Sequence, residues 1–315
     1  MPIDIAAPDP RPGRWASFWD SDFLYAFRHS PTAVVSSLII LLFVAVALFA
    51  PWLAPQDPFD PGALDLMDSN LPPAALAGGD GRFWLGTDNQ GRDVLSGILY
   101  GARISLLVGF GSVAVSLVIG VGVGLVAGYL GGWLDAVLMR LADIQLAFPA
   151  ILLALLIDGL ARSLLPAGAL ANLELWVIIG AIAISTWVQY ARTVRASVMA
   201  EASKEYVLAG QVMGLGHGAI MVRHILPNVL TPVFVIGTIN FALAMIIESS
   251  LSFLGVGVPP TTPSLGTLIR IGNQYLFSGE WWITLFPAAA LVVLALAVNL
   301  LGDWLRDTLN PRLES

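Results

Sequence analysis

Long apolar runs, broken at intervals by short clusters of proline, glycine and charge, set the pattern of this chain. The hydrocarbon core of a bilayer, about 30 Å thick, takes roughly 20 mostly apolar helical residues to cross. Six runs meet that length: residues 33–54, 104–130, 136–157, 173–190, 229–251 and 283–301. The pattern therefore predicts an all-α, polytopic membrane protein with about six transmembrane helices. The first run is too long and too far from the first residue for a cleaved signal peptide, and Pro51 and Pro55 close it. The third carries Arg140 and Asp143 in its first two turns, spaced to pair on one helix face. Pro149, Pro232 and Pro287 interrupt spans, which is tolerated where neighbouring helices satisfy the freed carbonyls.

Composition removes the main alternative. Only 12% of the 315 residues are charged, against about 25% in soluble domains. A soluble bundle of these six helices would have hardly any polar face. There are no cysteines, and His29, His217 and His224 are scattered, so no metal cluster is expected. A net charge of −7 argues against nucleic acid, which needs a basic surface. Residues 55–102 hold seven aspartates against two arginines, most of the whole-chain excess.

Arginine and lysine placement orients the spans. With the N-terminus inside, the inner segments hold ten of the fifteen basic residues, and the outer ones hold Arg82, Arg92, Arg103, Arg162 and Arg270. This predicts a cytoplasmic tail over 1–30, a first helix over 31–54 and an extracytoplasmic loop over 55–102. A five-helix core follows over 103–303, with a cytoplasmic tail over 304–315. The longest inner loop, 191–228, mixes apolar and polar residues and is broken by Gly210, Gly214, Gly216 and Gly218. One or two short helices lying along the membrane face are expected there.

The single lysine, Lys204, stands between Ser203 and Glu205, so no Walker-type phosphate loop exists and nucleotide chemistry falls to a partner. Ser112, Ser116, Gly120, Gly124 and Gly128 form a ladder at i+4 spacing that lets another helix approach closely. Packing within the chain is the first reading and a subunit contact the second. Charges at a helix centre in lipid cost about 2.5–3.5 kcal/mol, so those present need a partner or a role. Asp158 and Arg162 are read as a structural pair, and Glu248 as a candidate for the translocation path.

At the inner loop, 204–210 (KEYVLAG), Gly214 and 223–228 (RHILPN) resemble the EAA loop of bacterial ABC importer permeases, in the dipeptide/oligopeptide branch (DppC/OppC-like). Residues 85–96 (LGTDNQGRDVLS) with 100–105 (YGARIS), and 248–257 (ESSLSFLGVG) with 263–266 (PSLG), resemble two further blocks of that branch in the right order. The EAA triplet itself falls on Leu208-Ala209-Gly210, without its glutamate.

The resemblance implies the type I importer permease fold and a non-catalytic, pore-forming subunit for di- or oligopeptides in the bacterial inner membrane. It implies a second homologous permease subunit, two ATPase subunits that bind the ATP and Mg, and an extracytoplasmic solute-binding protein as partners. Glu205, Tyr206, Ala209, Gly210, Gly214 and Pro227 would form a coupling helix that docks on an ATPase, with the small residues permitting close approach. No cofactor is expected in this chain. Two rivals fit less well. A secondary transporter would carry charges deep in several spans, and a membrane-embedded enzyme would need a nucleophile–base pair or metal cluster at membrane depth.

Overall fold

The computed structural model describes residues 22–60, 62, 64–258 and 262–309. Among them the regular structure is helical: α1 Asp22–His29, α2 Pro31–Leu53, α3 Val94–Leu130, α4 Gly132–Leu146, α5 Ala150–Leu164, α6 Ala167–Ala202, α7 Glu205–Val212, α8 His217–Ile220, α9 Leu226–Phe253, α10 Leu265–Asn273 and α11 Trp282–Thr308. A π-turn, Met221–Ile225, joins α8 to α9. The helices α2, α3, α6, α9 with its lead-in, and α11 are long and apolar enough to cross a membrane. The pair α4 and α5 passes the same test together, bent by 94° at the break before Pro149.

The small-residue ladder packs inside the chain. A Cβ on Gly120 would lie 2.5 Å from the Tyr190 Cβ, one on Gly124 2.5 Å from the Ala191 carbonyl oxygen, and one on Gly128 2.8 Å from that of Arg195. Above them Ser116 Oγ donates to the Ala183 carbonyl (3.1 Å) and shares a hydrogen bond with Thr186 (2.7 Å). Both sequences ascend together, so α3 and α6 run parallel with their backbones in contact. Parallel neighbours require an odd number of crossings between them, and only α4 with α5 lies between. The bent pair is therefore one span.

Other close pairs run antiparallel. Ser105 of α3 meets Glu248 of α9, and Gly109 meets Phe241 and Met245. Gly302 of α11 packs on Thr238 of α9. On α1, Phe23 and Phe27 set their rings edge-on against Trp304 near the end of α11, at 5.2 and 5.4 Å. The first and last described helices thus share one face of the bundle with the loop between α6 and α9. The acidic loop and α10 occupy the other.

Two spans depart most from the expected bounds, each for a physical reason. The α3 helix starts ten residues early because Asp93 caps it, accepting from the Ser96 amide at 2.8 Å, and because Gly97 and Gly101 pack under Leu265 and Leu268. The α6 helix continues to Ala202 because the polar residues that end its apolar run are paired. Arg195 makes a two-pronged contact with Asp135 of α4 (2.5 and 2.6 Å), and Arg192 pairs with Asp143. Asp143 is therefore not the partner of Arg140, as its spacing had suggested. Trp187 Nε1 donates to Gln145 Oε1 at 2.6 Å as a third tie between α4 and α6. Apolar packing holds α4 little, since Ala142 is its one buried residue.

The ladder makes a direct prediction. Gly122 sits between ladder positions, and a Cβ there would meet nothing within 4 Å. Gly124→Ala is expected to destabilise the protein by about 1–3 kcal/mol through overpacking, and Gly122→Ala to stabilise it by at most about 1 kcal/mol through helix propensity. Thermal unfolding in detergent measures both, and equal shifts would contradict the packing described.

Candidate functional site

Two polar assemblies lie at opposite ends of the bundle. The first is an elbow between α6 and α9. Lys204 precedes α7, and Glu205 in its first turn suits the positive end of the helix dipole. The helix stops in a Schellman turn: the Gly214 amide bonds the Gln211 carbonyl (3.0 Å), and the Leu215 amide bonds that of Gly210 (3.1 Å). Gly214 has φ +78°, a conformation that favours glycine. Leu215 folds back over Gly210, 3.4 Å from where a Cβ would sit.

The underside of α7 is anchored by Val207, fully buried among Val198, Ile220 and Ile225. Its outer side carries exposed apolar residues, with Val212 89% and Met213 73% accessible, and Leu208 and Leu215 beside them. Ala209 and Glu205 also face outward, whereas Gly210 is buried and turned toward the bundle. Of the small residues expected to permit close approach, Ala209 and Gly214 are exposed and Gly210 is buried. Pro227 stands in the first turn of α9, directly after the π-turn.

Tyr206, expected in the coupling helix, is held by two residues given no role from sequence, Glu201 and Asn228. Tyr206 Oη donates to Glu201 at the end of α6, and Asn228 Nδ2 donates to Tyr206 Oη at 3.1 Å. Burial first, then the adjacent Glu201 carboxylate, raises the Tyr206 pKa, so the phenol keeps its proton. The i, i+3 spacing of Glu201 and Lys204 was visible; the return of Asn228 to Tyr206 has no signature in a single sequence.

The second assembly surrounds Glu248, which is fully buried. Its carboxyl group accepts from Ser105 of α3 (3.0 Å), Ser249 (3.3 Å) and Ser252 (2.7 Å). Ser264, which caps α10, donates to Ser252 at 3.3 Å, and the Leu265 amide donates to Ser105 at 3.2 Å. Glu248 thus clasps α3, α9 and the start of α10. The backbone is equally close here, since a Cβ on Gly266 would lie 2.5 Å from the Ser249 Cα. Nearby, Trp282 Nε1 donates to the Thr87 carbonyl at 3.1 Å and seats the acidic loop on α11. In that loop Asp88 accepts from the amides of Gln90 and Arg92, while its burial raises its pKa. Asp158 and Arg162 form the expected pair at 2.6 Å, and Arg162 also reaches the Gly257 carbonyl at 3.2 Å.

The two blocks 85–105 and 248–266 therefore meet at one end of the bundle, and the elbow lies at the other. The family of the binding-protein-dependent transport system inner membrane component matches residues 120–315, which include the elbow and the Glu248 block. The chain belongs to that family. The N-terminal TM domain of oligopeptide transport permease C matches residues 17–73 of this permease. Over 98% of its length the permease is 39% identical to the di/tripeptide transport system permease protein DppC of Pseudomonas aeruginosa, of which 97% is covered. It is 38% identical, over 93% of its length and 95% of the relative's, to the dipeptide transport system permease protein DppC of Haemophilus influenzae. It is 35% identical to the oligopeptide transport system permease protein OppC of Bacillus subtilis, over 94% of its length and 90% of that protein's. As a member of this family the permease is the transmembrane component of an ABC importer.

The clasp sets a stability order. Glu248→Ala leaves three serine hydroxyls without their acceptor, at about 1–3 kcal/mol for each buried group left unpaired. Glu248→Gln keeps the shape and one carbonyl acceptor. Melting in detergent is expected to fall steeply for the alanine variant and by less than half as much, roughly, for glutamine; the reverse order would contradict the clasp.

Proposed function

We propose that this chain is the non-catalytic permease subunit of a peptide importer, and that its elbow is the docking point for an ATPase partner. The single observation that carries this reading is the exposed apolar knuckle of Leu208, Val212, Met213 and Leu215. It stands on a fixed turn outside the membrane-crossing helices. Exposed apolar clusters on water-facing segments mark interaction surfaces. A partner that fits this knuckle offers an apolar cleft. ATP and Mg are bound, and the ATP is hydrolysed, by two such ATPase subunits, since this chain has no phosphate loop.

A second, homologous permease subunit completes the path, and a solute-binding protein delivers the cargo. Short peptides are the favoured solute, because the relatives bear dipeptide and oligopeptide names. The elbow face is cytoplasmic in this reading. It carries Arg192, Arg195, Lys204, Arg223 and Arg306, whereas the opposite face carries the acidic loop 55–102, which meets the binding protein. The chain divides into a cytoplasmic tail, the first helix, that outer loop and a five-helix core over 103–303.

Two measurements test it. The double variant Val212→Glu with Met213→Glu alters exposed positions and leaves the fold intact, yet is expected to abolish co-purification of the ATPase subunits. Co-purification at the unaltered level would overturn the docking role. Because the chain lacks cysteine, Lys204→Cys offers one labelling site. A membrane-impermeant maleimide is expected to react in inverted vesicles and not in intact cells, and the opposite pattern would overturn the orientation.

A further inference from the structure

The hydrogen bonds around Tyr206 close without remainder. A tyrosine hydroxyl has one proton to give and can accept others. Tyr206 Oη gives its proton to Glu201 Oε1, the charged and nearer acceptor, rather than to the His224 carbonyl at 3.4 Å. Asn228 Nδ2 has two protons: one goes to Tyr206 Oη at 3.1 Å, the other to the His224 carbonyl at 2.7 Å. The second Glu201 oxygen, Oε2, takes Lys204 Nζ at 2.7 Å. Glu201 is 8% exposed and both its oxygens are committed.

Three elements meet at this one oxygen. Glu201 belongs to the end of α6, Tyr206 to α7 and Asn228 to the first turn of α9. The His224 carbonyl lies in the π-turn, where the helical register slips and the Leu226 amide reaches back to Met221. Slips of this kind frequently occur at functional sites. Here the slip is braced by the Asn228 side chain, which donates to the His224 carbonyl.

We propose that the Tyr206 hydroxyl is the joint through which displacement of α7 reaches α6 and α9 together, with Glu201 and Asn228 as its positioning residues. Elsewhere α7 is held by a long contact from Gln211 Nε2 to Tyr129 Oη of α3 (3.4 Å) and by the apolar burial of Val207, and apolar contact is non-directional. It resists separation and permits sliding. Directional hydrogen bonds to both spans fix the angle of α7 to each. Beyond the joint, α6 is locked to α3 along the glycine ladder, and α9 to α3 through Gly109 and Glu248. Motion delivered at Tyr206 therefore enters the bundle as rotation of a packed body. Leu208 and Val212 of the knuckle lie across α7 from Tyr206 by helical spacing, so the hydroxyl and that part of the docking surface can be altered separately.

This inference rests on the reading that the elbow receives an ATPase, and the experiment keeps the two apart. Spin labels are placed at Met199→Cys on α6 and Phe234→Cys on α9, both exposed positions. The complete transporter with its ATPase subunits, in lipid nanodiscs, is measured by electron–electron double resonance with and without ATP and vanadate. With Tyr206 present, one narrow distance population is expected in both states, since α6 and α9 move as one. In Tyr206→Phe and Glu201→Ala, ATP with vanadate is expected to produce a second population at a shifted distance, with ATPase co-purification and hydrolysis retained. Glu201→Gln keeps an acceptor for the hydroxyl and is expected to restore the single population. An unsplit distance in Tyr206→Phe overturns the joint, and so does loss of the ATPase from that variant, which would place the hydroxyl in docking instead. Retention of the ATPase by the Val212→Glu, Met213→Glu variant overturns the underlying reading and leaves the geometry of the joint to stand on the distances alone.

Discussion

At Gly120, Gly124 and Gly128 the backbone of α3 comes directly against the backbone and Cβ atoms of α6. In lipid the hydrophobic effect does not press helices together, because the acyl chains are as apolar as leucine; dispersion and interhelical hydrogen bonds must do so. Both grow steeply as the axes approach, and glycine at every fourth position is what permits the approach. The rest of the architecture follows from this seam. Its parallel sense obliges α4 and α5 to return the chain in one crossing. That crossing brings the end of α6, the elbow and the start of α9 to the same face as α1 and the end of α11.

The α4–α5 crossing is built differently. Its first half is tied to α6 by Asp135 with Arg195, Asp143 with Arg192, and Gln145 with Trp187, and it buries one residue. Hydrogen-bonded ion pairs are short-ranged and angular, so they set the rotation of α4 about its own axis. Pro149 then frees the bend by supplying no amide proton. The seam and the crossing thus divide the work between close packing, which fixes distance, and charge pairing, which fixes direction.

The number and order of the spans were legible in hydropathy, because a run of some 20 apolar residues has few other uses. Their ends were not. Hydropathy stopped α6 near Tyr190, where Arg192 and Arg195 begin, but those residues continue the helix once Asp143 and Asp135 neutralise them. It also missed the first ten residues of α3, which are helical because α10 covers them. At the elbow, the Schellman turn was foreshadowed by Gly214, since a left-handed residue leaves a local trace. The burial of Gly210 was not legible, because smallness alone does not say which side of a helix faces out, and Leu215 folds over it. Around Glu248, Ser249 and Ser252 are neighbours in sequence, but Ser105 is 143 residues away, a separation no local pattern spans.

The Schellman turn after α7 has a thermodynamic consequence. A flexible loop must surrender its conformational freedom when it is captured, and that loss subtracts directly from affinity. Here two backbone bonds and a left-handed glycine have already frozen the segment from Gly210 to Leu215. The entropy was relinquished during folding, so the proposed capture of the knuckle would resemble a key entering a lock whose wards are already cut.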